Sequence, residues 1–206
     1  IAIMQFKLEG QLIKEHPEFD LDKRLLLDKI DFENGTVNVE GTVYPLNDTF
    51  FPTIDPNNPY ELTEDERAVM NSLSASIINS ERLQTHIRYM FSHGALYKRI
   101  NGNLLFHGCI PMDENGDFLP VDIYGAKCAG RALMDHLDKQ IRASYFSPEK
   151  IKKYGKPGDL MWYLWLAKDS PLFGKEKMTT FERLFIDDKA SHKEHVRPYY
   201  KLINSK

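Results

Sequence analysis

Residues 96–108 read LYKRINGNLLFHG, and this stretch decides the fold of the middle of the chain. Asn101-Gly102 separates two apolar runs and predicts a tight β-hairpin, because this dipeptide readily takes the left-handed backbone that a two-residue turn needs. The apolar residues at 104–106 predict that the second strand is buried, and His107 follows directly. The sequence therefore predicts a histidine at the carboxyl end of a buried strand.

A histidine in this position has two interpretations. A neutral imidazole binds transition metals well, and strand ends commonly carry ligands. Alternatively, His107 is a packing residue whose ring nitrogens are satisfied by hydrogen bonds. Gly108 lets the backbone leave the strand sharply and lets other groups come close, and Pro111 fixes the direction of the exit.

Apolar residues at helical spacing predict long helices on both sides of the hairpin. One helix is expected over 64–93, with a capping box at Thr63 and Glu66 and an end at Gly94. The predicted buried stripes are Ile1, Met4, Leu8, Leu12 and Ile13 at the amino terminus, Val69, Leu73, Ile77, Leu83, Ile87 and Met90 in that helix, and Leu133, Leu137, Ile141 and Tyr145 in a helix over 129–146. Because the chain opens inside a helical pattern without a capping residue, we expect it to be cut from something longer, unless the terminus is simply frayed or processed.

Shorter elements complete the predicted pattern. We expect a helix over 20–30 capped by Asp20, a small hairpin within 36–46, a surface loop over 47–60 and an aromatic, buried helix over 157–167. A second capping box is expected at Thr179 and Glu182. The predicted fold class is mixed α/β, with helices and two β-hairpins.

Composition excludes several classes of protein. The 27 basic and 30 acidic residues give a formal charge of −3, so no global field favours nucleic acid or an anionic membrane. Cys109 and Cys128 are the only cysteines, which is typical of a reducing compartment, although one bridge between them stays open. The sequence carries no apolar run of about 18 residues and no leader pattern. These features predict a cytoplasmic protein.

Three stretches carry a resemblance to a known family. They are YKRINGNLLFHGCIPMDENGDF (97–118), WYLWLAKDSPLFGKEKMTTFERLFI (162–186) and VRPYYKL (196–202). The chain resembles an internal segment of the class III fructose-1,6-bisphosphatases of bacteria, in the calcineurin-like metallophosphoesterase superfamily. The resemblance implies hydrolysis of fructose 1,6-bisphosphate to fructose 6-phosphate and phosphate in gluconeogenesis, with manganese as the metal. It also implies a mainly helical insertion with a small hairpin at 1–95, and at 96–206 part of a metallophosphoesterase-like α/β sandwich with a helical extension.

The superfamily's metal-binding motifs are only partly present. His107 in LLFHG resembles the lone histidine that binds one metal from a strand end. The two Gly-Asp pairs are followed by Pro120 and Trp162 where the Gly-Asp-x-x-Asp motif requires aspartate. Two adjacent cations need several carboxylates and imidazoles to hold them. We therefore expect one ligand of a divided site, no assigned catalytic residue and negligible activity from these 206 residues alone.

A sugar bisphosphate needs cations for the phosphate that is not cleaved. The segment GKEKMTTFER (174–183) supplies Lys175, Lys177 and Arg183 as the candidate substrate-binding residues, although solvated surface charge is the preferred interpretation of them. His192 and His195 are one helical turn apart and could share a metal, but a hydrated, charged loop or helix end is the preferred interpretation.

A second function class stays open: a non-catalytic regulatory or oligomerisation domain. The two classes predict different surroundings for His107. A metal ligand should be exposed at the end of a strand, whereas a structural histidine should be enclosed. The expected partners are a sugar bisphosphate and the missing amino- and carboxyl-terminal parts of the same enzyme, with a homo-oligomer open and neither nucleic acid nor membrane expected.

Overall fold

The computed structural model describes residues 1–146 and 159–205, and its fold class is mixed α/β, as predicted. The described α-helices are α1 (Ala2–Glu15), α2 (Glu64–Ile78), α3 (Glu81–His93), α4 (Gly130–Phe146), α5 (Asp159–Leu166), α6 (Thr180–Phe185) and α7 (Pro198–Ile203). The described strands are β1 (Ile30–Asp31), β2 (Thr36–Val39), β3 (Thr42–Pro45), β4 (Tyr97–Ile100), β5 (Asn103–Phe106), β6 (Val121–Ile123) and β7 (Ala126–Cys128). None of the described helices is both long and apolar enough to cross a membrane.

The chain folds into two compact units. The first unit contains Ile1–Asn79 and Lys177–Glu194, and the second contains Ser80–Glu176 and His195–Lys206. The assignment of 1–95 to an insertion and of 96–206 to part of a metallophosphoesterase core is a statement about the longer enzyme and stays a prediction.

The first unit is built around a three-stranded antiparallel sheet. Its strand order is β1-β2-β3, and Val37 and Val39 on β2 face the core. The core of this unit contains Phe6, Leu26, Leu27, Val37, Val39, Ile54, Tyr60, Phe181 and Ile186. Within the predicted stripe of α1, Met4 and Ile13 are buried, whereas Ile1 is exposed.

The predicted helix over 20–30 is wrong. Short 3₁₀ turns form at Asp22–Arg24 and Leu27–Lys29, and Leu25 between them has an extended backbone. This break brings Leu26 and Leu27 into the core of the first unit, so tertiary packing overrides the helical spacing. The N-cap position of the first of these turns is occupied by Leu21 and not by the expected Asp20, which has a left-handed backbone with φ 52°.

The predicted helix over 64–93 is two helices. The capping box at Thr63 and Glu66 forms as expected, but α2 ends at Ile78 and α3 begins at Glu81, with Ser80 accepting a hydrogen bond from the Leu83 N–H. The burial predicted for the apolar stripe is wrong for most of its members, because no described residues cover them. The exposed members are Val69, Leu73, Ile77, Leu83 and Met90, with exposed fractions of 37–55%.

The second unit contains two two-stranded sheets, β4-β5 and β6-β7. The β6-β7 hairpin was not predicted, because its turn uses Tyr124 at φ 53° before Gly125, and tyrosine is not a typical residue at a positive φ. Helix α4 forms over the predicted range and buries Leu133, Leu137 and Ile141.

Helix α5 confirms only part of the aromatic helix predicted over 157–167. Residues 157 and 158 lie outside the described residues. Tyr163 is buried as expected, but Trp165 is 65% exposed and does not belong to the core.

Candidate functional site

The β4-β5 hairpin positions His107. Tyr97 pairs with Phe106 and Ile100 pairs with Asn103, and the turn residues Asn101 and Gly102 both have positive φ values, 51° and 79°. These values match the predicted turn, in which both central residues are left-handed. His107 is therefore the first residue after the end of β5.

The ring of His107 is open to solvent. The residue is exposed, and it makes no hydrogen bond or ion pair with residues 1–146 or 159–205. The strand before it is not buried, contrary to the prediction, because Leu104 and Leu105 are 48% and 53% exposed. The hairpin thus presents apolar side chains and a histidine that its own unit does not cover.

The backbone after His107 fits tightly against the loop that follows α5. A Cβ atom on Gly108 would lie 2.5 Å from the Pro171 carbonyl oxygen and 2.7 Å from the Leu172 oxygen, so only glycine fits at this close approach. The Cys109 N–H donates to the same Pro171 oxygen at 3.0 Å. The loop is itself fixed, because the fully buried Ser170 hydroxyl donates to the Leu164 oxygen at 2.7 Å.

The two cysteines are free thiols in the structure. Cys109 is 2% exposed, and its Sγ donates to the Ser170 oxygen at 3.7 Å. Burial raises the pKa of the Cys109 thiol above its ordinary value. A buried thiol of this kind is a poor nucleophile, so Cys109 is a packing residue two positions after His107.

A concave face lies on the same hairpin, with a cavity of about 450 Å³. Most of its lining is apolar, but Arg99 and Arg131 also reach it. The lining residues are Tyr97, Arg99, Leu104, Ile110, Phe118, Gly130, Arg131 and Met134. Periodicity did not identify this cavity, because its walls come from three different elements: a hairpin, a loop and a helix.

The three candidate substrate-binding cations lie in different environments. Lys177 is 7% exposed, and its Nζ binds the Glu40 carboxylate at 2.7 Å and the Glu182 carboxylate at 3.1 Å. Arg183 is exposed and donates to Thr179 Oγ1 at 2.9 Å. Lys177 and Arg183 belong to the first unit, whereas Lys175 is an exposed residue of the second unit, as is His107.

The pairing of Lys177 replaces the capping box predicted at Thr179 and Glu182. The Thr179 side chain makes no cap hydrogen bond to α6, because its hydroxyl accepts from Arg183 and the Glu182 carboxylate binds Lys177. The hydrogen bonds from Lys177 and Lys23 lower the pKa of Glu40 to about 2.

The histidines at 192 and 195 belong to different units. His192 Nε2 lies 2.8 Å from the Glu182 oxygen and 3.0 Å from the Ile186 oxygen. Because both neighbours are carbonyl oxygens, this nitrogen donates its proton to the backbone and is a structural hydrogen-bond donor.

His107 is thus an exposed residue at the end of a strand in a mixed α/β unit. The chain belongs to the Firmicute fructose-1,6-bisphosphatase family, whose profile matches residues 1–206.

Curated relatives carry the name fructose-1,6-bisphosphatase class 3. The chain is 55% identical over 200 residues to the one from Clostridium acetobutylicum, covering 97% of this chain and 30% of the relative. It is 54% identical over 207 residues to the one from Clostridium tetani, covering 100% of this chain and 31% of the relative. The chain thus spans about 30% of the length of these relatives. No solved structure matches the chain significantly.

Proposed function

We propose that this chain is a segment of a metal-dependent phosphatase that hydrolyses fructose 1,6-bisphosphate to fructose 6-phosphate and phosphate in gluconeogenesis in the cytoplasm. Family membership and the names of the relatives support this proposal. Because the chain spans about 30% of those relatives, the activity belongs to the longer enzyme, and the segment alone is expected to be inactive.

His107 is the residue of this chain that would hold a metal, and the proposed metal is manganese. Its exposed ring, without a partner among the described residues, fits an imidazole that keeps a nitrogen lone pair available for a metal ion. A bound pair of divalent cations supplies an activated water and offsets the charge on the phosphoryl oxygens. The other ligands must come from parts of the enzyme outside residues 1–206, since the remaining superfamily motifs are not in this sequence.

The backbone around His107 determines where the imidazole is presented. Gly108 and Cys109 are held against the Pro171 carbonyl, so the histidine leaves the end of β5 at a fixed point. This preorganisation favours metal binding by His107, because the backbone around it has little freedom left to lose when a metal ion binds.

The proposed substrate contacts are Lys175, Lys177 and Arg183. Lys175 and Arg183 are exposed, but Arg183 pairs with the Glu194 carboxylate at 3.2 Å, so a phosphate would have to compete with that carboxylate. Lys177 could contribute only if a phosphate displaced a carboxylate from it, because Glu40 and Glu182 already neutralise its charge.

The observation that carries the proposal is the exposed, unpartnered His107 at the end of β5 in a chain of this family. The test is turnover of fructose 1,6-bisphosphate by the full-length enzyme carrying His107→Ala. Loss of this metal ligand is expected to lower manganese-dependent turnover at least about 100-fold. Loss of a residue that only hydrogen-bonds a metal ligand already lowers metal affinity or activity about 10–100-fold, and loss of the ligand itself should lower it more. His86→Ala, an exposed histidine of the same unit, is the matched control and should retain turnover.

A regulatory or assembly domain is the second candidate, and the exposed apolar residues of α2 and α3 favour it. We propose that other parts of the same enzyme cover these residues, because some 70% of the length of the relatives lies outside the matched region. The two candidates are separated by the variant above: an assembly domain without a metal site would retain full turnover after His107→Ala.

A further inference from the structure

Helix α7 contacts the segment around His107, and the residue before the helix is held in place by ion pairs. Arg197, which precedes the helix, is largely buried, with its side chain 13% exposed. Its guanidinium lies 2.6 Å from the Asp169 carboxylate and 2.9 Å from the Glu176 carboxylate. A planar guanidinium held by two carboxylates has little freedom, so the start of α7 is tied to the loop that follows α5.

Two tyrosines of α7 contact the residues on either side of His107. The Tyr200 hydroxyl donates to the Gly108 carbonyl oxygen at 3.2 Å. The Tyr199 ring meets the Phe106 ring edge to face, with the ring centroids 6.1 Å apart. The chain is therefore held immediately before and immediately after the histidine.

The position of the Tyr200 hydroxyl is closely defined. A Cβ atom on Gly174 would lie 2.6 Å from this oxygen, so the hydroxyl occupies space that any other residue at 174 would fill. On the other side of the segment, the Cys109 N–H is bonded to Pro171. The Gly108 peptide is thus held by Tyr200 from one element and by the loop from another.

From this geometry we propose that Tyr200 is a positioning residue for His107. The inference rests on the proposed function, because it assumes that His107 binds metal. A metal-binding histidine is usually oriented by a hydrogen bond from its second ring nitrogen. His107 makes no such bond to the residues that the structure describes, and within them it is held only through the contacts of its neighbours Phe106, Gly108 and Cys109. The Tyr200 hydrogen bond fixes the carbonyl of the next residue and does so without using the imidazole.

The test measures manganese affinity of the metal-free full-length enzyme, with free Mn²⁺ followed by electron paramagnetic resonance. Tyr200→Phe keeps the ring and removes only the hydroxyl. It should weaken manganese binding about 10-fold. Loss of a residue that orients a metal ligand typically lowers metal affinity about 10–100-fold, and this value is at the lower end of that range. The KM for the sugar bisphosphate should not change, and kcat at saturating manganese should stay within about twofold, because the hydroxyl is bonded to the Gly108 backbone carbonyl.

Tyr60→Phe is the matched control. It also removes one tyrosine hydroxyl, which donates to Asp28 at 2.7 Å in the first unit. This variant should lower the thermal midpoint while leaving manganese affinity unchanged. A general loss of stability would therefore be distinguished from a loss of positioning.

Hydrogen exchange gives a second measurement in the absence of metal. Tyr200→Phe should speed exchange of the Cys109 amide, which the clamped segment protects, and Tyr60→Phe should not. Manganese affinity within twofold of wild type for Tyr200→Phe, when His107→Ala weakens binding, would overturn the positioning role alone. If His107→Ala leaves manganese binding unchanged, the proposed function fails and the positioning role fails with it.

Discussion

Lys7 and Glu66 form a buried ion pair in the first unit, with Nζ 2.7 Å from Oε2 and side chains that are 0% and 10% exposed. Lys7 also donates to the Thr53 carbonyl oxygen. Glu66 completes the capping box of α2, because its carboxylate accepts from the Thr63 N–H at 3.0 Å. This pair therefore joins the first turn of α2 to α1.

Neutralising one member of this pair should be costly. Glu66→Gln leaves the Lys7 ammonium buried without its counter-charge, and we expect a loss of about 3 kcal/mol in the free energy of unfolding. Urea denaturation measures this loss. Glu64→Gln, an exposed carboxylate in the first turn of the same helix, is the control and should cost less than about 1 kcal/mol. Equal effects of the two substitutions would show that the pair has no special importance.

Glu40 should make stability depend on pH in the acid range. Hydrogen bonds from Lys177 and Lys23 hold the pKa of this carboxyl at about 2, below its ordinary value of 4.5. A lowered folded-state pKa gives stability that is complete above about pH 4.5 and is lost as the pH falls toward 2. The difference in unfolding free energy between wild type and Glu40→Gln should therefore shrink from pH 6 to pH 2. A difference that stays constant over this range would contradict the assignment. The effect should be modest, since the Glu40 side chain is 42% exposed and solvent screens it.

Gly108 should not tolerate a methyl group. The backbone oxygens of Pro171 and Leu172 lie where the new Cβ would be, and backbone cannot rotate away as a side chain can. We expect Gly108→Ala to cost about 1–3 kcal/mol in unfolding free energy, the usual cost of overpacking. It should also weaken manganese binding by the full-length enzyme, because the segment after His107 must shift. Unchanged stability and unchanged manganese affinity together would mean that the close approach is absent in solution.

The apolar face of α2 should contribute to stability only in the longer enzyme. Leu73 is 43% exposed, so Leu73→Gln should change the unfolding free energy of the isolated chain by less than about 0.5 kcal/mol. If other parts of the enzyme cover this face, the same substitution should lower the thermal midpoint of the full-length protein by several degrees. Ser74→Gln, the exposed neighbour, should have no effect in either protein. An unchanged midpoint for full-length Leu73→Gln would show that no other part of the enzyme covers Leu73.

Local patterns predicted the elements that depend on local chemistry. The turn at Asn101-Gly102, the capping box at Thr63 and the range of α4 all follow from short-range rules, and the structure contains them. Burial was predicted less well, because helical spacing indicates an apolar face but not what lies against it. The stripe of α2 and α3 is the main example.

Contacts between residues far apart in the chain could not be predicted from local sequence patterns. Lys177 was predicted to face solvent or substrate, yet it binds Glu40, which is 137 residues away in the chain. The contact of Tyr200 with Gly108 spans 92 residues and has no local signature. The position of His107 at a strand end was predicted because it depends on a single hairpin, whereas the loop and helix that hold its neighbours become visible only in the folded chain.

The central claim is that His107 supplies one ligand to a metal centre completed by the rest of the enzyme. Titration of the metal-free full-length enzyme with Mn²⁺, comparing wild type, His107→Ala and His86→Ala, tests it most directly. The account predicts that His107→Ala loses tight binding of at least one manganese ion while His86→Ala binds as wild type does. Identical stoichiometry and affinity in all three proteins would contradict it.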